Sequence, residues 1–203
     1  MNRKMIWKNL VRGKAVPLIT ILFISVAAML LSLAAILTVN LCGAVGRLMT
    51  DARTPHFMQM HTGAVDMTGL EDFADNNRNV ADFQVIPFLN VDNTELILGG
   101  NRLTDNVQDN GFCTQSSRFD FLLDMENQPV KPQPGEVYVP VCYLRDGTVN
   151  VGDPAVLCGR TFRVAGFIRD SQMNSTLASS KRFLINEADY ARLAPFGNVE
   201  YLI

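Results

Sequence analysis

Hydrophobic and polar positions divide this chain into two unlike stretches. Between Lys14 and Arg47 no residue is charged, and the heart of that run, Pro17 to Leu41, is almost uniformly apolar. Beyond it the apolar residues come in short runs broken by Gly, Pro, Asn and Asp. A continuous apolar stretch of 25 residues predicts a membrane-spanning helix. At 1.5 Å per residue it rises about 37 Å, against a hydrocarbon thickness of roughly 30 Å. Fourteen of the 25 residues are Leu, Ile, Val or Phe. Together they favour insertion by on the order of 6 kcal/mol. Thr20, Ser25, Ser32, Thr38 and Asn40 reduce that figure without reversing it, and Pro17 sits in the first turn, where proline is tolerated. The apolar core of a secretory signal is shorter, about 7–15 residues. A lipid anchor on Cys42 would want a small residue before it, and Leu41 stands there.

The remaining stretch predicts a mixed domain with strands in excess. Val45 to Thr54 is expected to continue the helix as a stalk, and Phe57–His61 to form a strand. Thr68 and Glu71 have capping-box spacing ahead of a helix from Leu70 to about Asn76. Val80 to Val91 is apolar and rich in strand formers, with Pro87 marking a bulge or an edge. Asn93-Thr94 turns into a strand over Glu95–Leu98 that Gly99-Gly100 ends. Residues 101–135 are polar and weakly periodic, with Pro129, Pro132 and Pro134 among them, which marks them as a seam between two lobes. Glu136–Val139 reads as a strand and Val141–Arg145 as a short helix. The clearest local pattern is an apolar run at Ala155–Leu157, then Cys158-Gly159-Arg160, then alternation through Ile168: a β-hairpin. Arg182–Ile185 is a further strand, and Asn186 caps a helix through Leu193, with Glu187 and Asp189 in its first turn. The expected fold class is therefore α+β: one N-terminal membrane helix, then a strand-rich domain of one core or two lobes. The expected division is 1–16, a basic segment; 17–41, the membrane helix; 42–54, the stalk; and 55–203, the exterior domain.

Charge gives the helix a direction. Arg3, Lys4, Lys8, Arg12 and Lys14 precede it, and no acid appears before Asp51. The positive-inside rule puts the N-terminus in the cytoplasm and the large domain outside the cell membrane. Lys4, Lys8 and Arg12 recur every four residues, opposite Ile6, Trp7, Leu10 and Val11. This predicts a short amphipathic helix lying on the inner leaflet with Trp7 at the interface. Inside the span, Ser25, Ala28, Ser32 and Ala35 form a stripe of small residues that admits a second helix at close range. From Leu41 onward 13 basic residues face 20 acidic ones, a net of −7, which excludes a nucleic-acid footprint.

Candidate chemistry is sparse. His56, Met58, Met60 and His61 carry soft ligands of the kind Cu(I) takes, but a Met-rich strand packed on a core has the same pattern. Ser179-Ser180-Lys181 places a hydroxyl beside an amine, yet neighbours on a strand point apart and no oxyanion motif accompanies them. Asn174-Ser175-Thr176 is a glycosylation sequon only in a eukaryotic secretory pathway. Asp120, Asp124 and Glu126 can bind a cation or form a solvated acidic loop. Cys113, Cys142 and Cys158 cannot all pair with one another; one disulfide or three buried thiols are the choices. No metal, cofactor or catalytic residue is expected in this chain, and without a Walker A sequence ATP belongs to a partner.

The order of these features resembles the N-terminal portion of FtsX/MacB-like ABC transporter permeases. The resemblance rests on Trp7-Lys8-Asn9-Leu10-Val11-Arg12 ahead of the span, and on Val151-Gly152-Asp153 leading through Val164-Ala165-Gly166-Phe167. Residues 169–175 and Ser180-Lys181-Arg182-Phe183 look like a Gram-positive subset. It implies a permease subunit, itself no enzyme, with a separate ATP-binding subunit and further permease helices or a second permease copy as partners in the bilayer. It further implies an exterior core domain, moved through the stalk, that acts on lipid, peptide or protein. Such permeases continue into at least three more membrane helices, so this chain, ending at Ile203, is expected to be incomplete. The alternative is a single-pass anchored binding or sensor protein without transport activity.

Overall fold

A computed structural model describes Gly13 and residues 15–203. The chain forms two compact units, divided between Gly46 and Arg47.

Helix α1 runs from Ala15 to Asp51, 37 residues, and is long and apolar enough to cross a membrane. None of its residues is buried by the rest of the chain. Thr20 and Thr38 turn their hydroxyls back on the helix, donating to the carbonyls of Val16 and Ala34 at 2.9 Å each. That satisfies two polar groups that an apolar environment would otherwise penalise. The helix ends three residues before the stalk's expected limit at Thr54. Arg53 has φ 48°; its N–H donates to Thr50 O at 3.1 Å, and the Thr54 N–H to Met49 O at 2.9 Å. This pair of bonds is a Schellman closure, with arginine where glycine is usual.

The second unit is a strand-rich half-barrel built on one ten-stranded sheet. Its strands are β1 (Met60–Thr62), β2 (Ile86–Asn90), β3 (Leu96–Leu98), β4 (Asn101–Arg102) and β5 (Asp109–Cys113). They continue with β6 (Glu136–Pro140), β7 (Pro154–Leu157), β8 (Arg160–Ile168), β9 (Ser180–Leu184) and β10 (Asn198–Leu202). The spatial order is β1-β10-β2-β5-β9-β6-β8-β7-β3-β4. Pairs β5/β9 and β6/β8 are parallel and the others antiparallel. Helices α2 (Met67–Asn76), α3 (Val141–Arg145) and α4 (Glu187–Leu193) complete it.

Alternation along the inner strands fills two cores, one on each face. Leu89, Phe112, Phe167 and Phe183 join one cluster, and their neighbours Phe88, Cys113, Ile168 and Leu184 join the other. The β7–β8 hairpin forms as its pattern predicts, with Leu157 opposite Arg160. Cys158 (φ 49°) and Gly159 (φ 72°) make the two-residue turn, both in the left-handed region that such turns require. Asn186 caps α4 by accepting from the Asp189 N–H at 3.0 Å.

Three expectations are corrected. The cap of α2 is Asp66, which accepts from the Gly69 N–H, and not Thr68; the helix starts a turn earlier than the capping-box spacing indicated. The strand expected at Phe57–His61 begins only at Met60, where β10 supplies a partner. The polar stretch 101–135 is no seam between lobes: it contributes β5, inside the sheet between β2 and β9. Its buried Asn110 is satisfied by Asn93 and Tyr143, at 2.7 and 2.6 Å, so a polar sequence forms an interior strand.

Candidate coupling joint

Two consecutive cations, Lys181 and Arg182, lie on β9 in the middle of the sheet. Every residue of that strand is buried, and alternation sends the two side chains to opposite faces. Charge in such a place needs partners.

Arg182 finds two carboxylates. Its Nε and Nη2 donate to Asp170 at 2.6 Å each, and Nη1 and Nη2 to Asp120. All three side chains are nearly inaccessible, at 1%, 3% and 6% exposure for Arg182, Asp120 and Asp170. Asp170 also accepts the N–H groups of Gln172 and Met173, at 2.8 and 2.9 Å. Burial alone would push the Asp170 carboxyl up. The Arg182 guanidinium and the two backbone donors outweigh burial and hold it below its ordinary value. Burial likewise disfavours the Arg182 charge, but Asp170 and Asp120 raise its pKa well above the usual arginine value. Beside the triad, burial lifts the Cys113 thiol to about 12 against the opposing pull of Arg182.

Asp120 belongs to a loop, residues 118–123, that is tied in four directions. Asp120 stands at φ 57°. Its N–H donates to Arg53 O at 3.0 Å, and the Phe121 N–H donates to Ala52 O at 2.8 Å. Leu123 and Arg169 exchange backbone bonds of 3.1 and 2.7 Å. The Gln84 amide donates to Phe119 O at 2.8 Å. The Arg53 guanidinium lies 5.7 Å from the Phe121 ring centroid. Ala52, just past the last helical residue, is fully buried. A continuous bonded path therefore runs from residues 49–54, where α1 closes, through the 118–123 loop to the centre of β9. Each link in that path is a hydrogen bond or an ion pair.

Lys181 is served differently. Its ammonium donates to three backbone carbonyls, Ser175 O, Ala178 O and Ser180 O, at 2.9, 2.8 and 3.1 Å. Burial holds its pKa below the ordinary lysine value. The amine is spent on ordering the 175–180 loop and, among the described residues, makes no bond to a serine hydroxyl.

Other residues singled out from sequence fall as follows. Lys4, Trp7, Lys8 and Arg12 lie outside the described residues. Ser25, Ala28, Ser32 and Ala35 are exposed on α1. His56 is exposed, Met58 packs on a core cluster, Met60 is exposed on β1, and the His61 ring is 3.1 Å from Ala64 O. Asp120 faces Arg182, while Asp124 accepts the N–H groups of Glu126 and Gln128. Among the described residues no three His, Cys, Asp or Glu gather as a metal site. Cys113, Cys142 and Cys158 are separate buried thiols, and Cys42 is exposed. The triad itself was missed. Its one trace in the sequence is a Lys-Arg pair inside a run that otherwise reads as an interior strand. No protein-family model matches the chain, and no curated protein matches it.

Proposed function

We propose that this chain is a membrane permease subunit of an ABC transporter, of the FtsX/MacB-like kind, with α1 in the bilayer, the N-terminus in the cytoplasm and the folded domain outside. In this reading a partner subunit binds and hydrolyses ATP. The resulting motion of the membrane helices reaches the outer domain, which acts on a lipid, peptide or protein. The observation that carries the reading is the joint: the residues closing α1 are bonded to the loop that holds the buried Asp120–Arg182–Asp170 triad. A tether that served only to hold a domain near a membrane has no use for such a connection. The small-residue stripe along α1 suits further permease helices or a second copy as neighbours.

Purification from the native membrane in mild detergent tests this. The expected result is a co-purifying ATP-binding subunit, with ATP hydrolysis in the complex. A chain that purifies alone overturns the reading and leaves a single-pass binding protein.

A further inference from the structure

The sheet opens between β2 and β5, and a proline is the cause. These strands pair only at Leu89–Phe112 and Asn90–Gly111, followed by a bond from the Val91 N–H to Asn110 O at 3.3 Å. In an antiparallel ladder every second residue turns its N–H and C=O to the same neighbour. Val91, Leu89, Pro87 and Val85 thus share one direction, toward β5. Continuing the register brings Pro87 opposite Thr114 and Val85 opposite Ser116. Pro87 has no N–H to give at the first of these positions, and the ladder stops there. On its other side Pro87 pairs in register with Tyr201, where the bonded positions are its neighbours, so β2 stays in the sheet.

Beyond the break the two segments stand apart around a cleft of about 570 Å³. Residues 83–87 form one wall and residues 114–118 the other. The far end is closed by side chains and not by a backbone ladder: Arg118 reaches Phe83 O and Asp82, and Gln84 reaches Phe119 O. No backbone pair joins residues 83–87 to residues 114–118, and the bonds between the two walls are made by side chains. Within the described residues, Val85 and Thr114 make no hydrogen bond to the rest of the chain, nor does the backbone of Ser116. Two antiparallel backbone edges with unused groups facing a common gap are the receptor for an added strand. Glu71 and Glu187 also line the gap and have no cationic partner among the described residues, whereas Arg118 is paired with Asp82.

We propose that this gap binds an extended peptide segment bearing basic residues, seated as an added strand between the free backbone of residues 85–87 and 114–116. The second wall leads directly into the 118–123 loop of the joint. On the permease reading, which this last point rests on, α1 and the bound segment are mechanically linked.

The test uses the full chain in phosphatidylcholine nanodiscs, with the acetylated and amidated hexapeptide Lys-Val-Thr-Val-Lys-Val as probe. Saturable binding is expected, with slowed amide exchange at Val85, Thr114 and Ser116. Methylating alternate peptide nitrogens is expected to weaken binding about tenfold or more, the scale of one or two lost hydrogen bonds. Glu71→Lys, an exposed change that leaves the fold intact, is expected to weaken it about threefold at low salt. Ser116→Pro removes one donor from the second wall and is expected to weaken binding by up to about tenfold. Equal binding by the methylated peptide, protection elsewhere in the chain, or no saturable binding would overturn the proposal. No ATPase takes part, so failure here leaves the permease reading standing, and a chain that purifies without an ATPase leaves this proposal standing.

Discussion

Lys181 and Arg182 are neighbours on one strand, equally buried and equally charged, yet they do opposite jobs. Arg182 binds carboxylates 62 and 12 residues away and joins three segments of the fold. Lys181 binds carbonyls no more than six residues away and shapes a single loop. The planar guanidinium offers five donors in a fixed fork, enough for two carboxylates at once, whereas an ammonium offers three rotatable donors suited to a nest of carbonyls. The same charge on the same strand is global on one face and local on the other.

Removing Arg182 puts this contrast to its hardest test. Arg182→Met fills similar volume but leaves Asp120 and Asp170 buried without their cation. A loss of about 3–5 kcal/mol is expected, read as a fall in the chemical-denaturation midpoint. Exchange should rise at residues 52–54, 118–123 and 169–173 together. A change confined to β9 would show that the triad does not join these segments.

Lys181→Met is expected to cost less, on the order of 1–3 kcal/mol, because it strands neutral carbonyls, and an exposed loop can turn those toward water. Exchange should rise within residues 175–180 and stay unchanged at the joint. Spread of the effect to residues 118–123 would erase the distinction between the two faces.

Acid separates the two variants again. Asp170 titrates below its ordinary value of 3.8 in the folded chain. Its contribution to stability is therefore complete above that pH, where the unfolded carboxyl is also ionised, and is lost as the pH falls through the folded value. The native chain and Lys181→Met should both lose stability below about pH 4 with this dependence. Arg182→Met, which lacks the cation that lowers Asp170, should lose much of it. Denaturation midpoints between pH 3 and 6 provide the measurement.

What could be read from sequence follows the same division between local and distant. The apolar run, the Cys158-Gly159 hairpin, the Asn186 cap and the strand–helix step at 136–145 are each set by residues within a few positions, and each forms. Pro87 was legible as an interruption, but only pairing shows that it opens one side of β2 and spares the other. Strand β5 was hidden because Asp109-Asn110-Gly111 looks like loop; its place depends on β2 and β9 pairing on both sides and on Asn93 and Tyr143 satisfying Asn110. The joint was hidden for the same reason. A Lys-Arg pair in an apolar strand announces that partners exist, and nothing within ten residues names Asp120.

The smallest effect is expected at the joint's surface, where a third cation tests whether burial or mere position gives Arg182 its weight. Arg53 also touches the 118–123 loop, through the Phe121 ring and a 3.4 Å bond to Arg118 O, but it is exposed. Arg53→Gly removes an exposed cation–π contact of about 0.5–1 kcal/mol and adds chain entropy to the unfolded state. It also relieves a left-handed residue, φ 48°, of roughly 1–2 kcal/mol. These terms oppose each other, and the midpoint should move by less than about 0.5 kcal/mol. The two backbone bonds from residues 120 and 121 to residues 53 and 52 need no side chain at 53, so exchange at the joint should stay slow. A loss as large as that of Arg182→Met would mean that the Arg53 side chain, and not the buried triad behind the loop, holds the joint together.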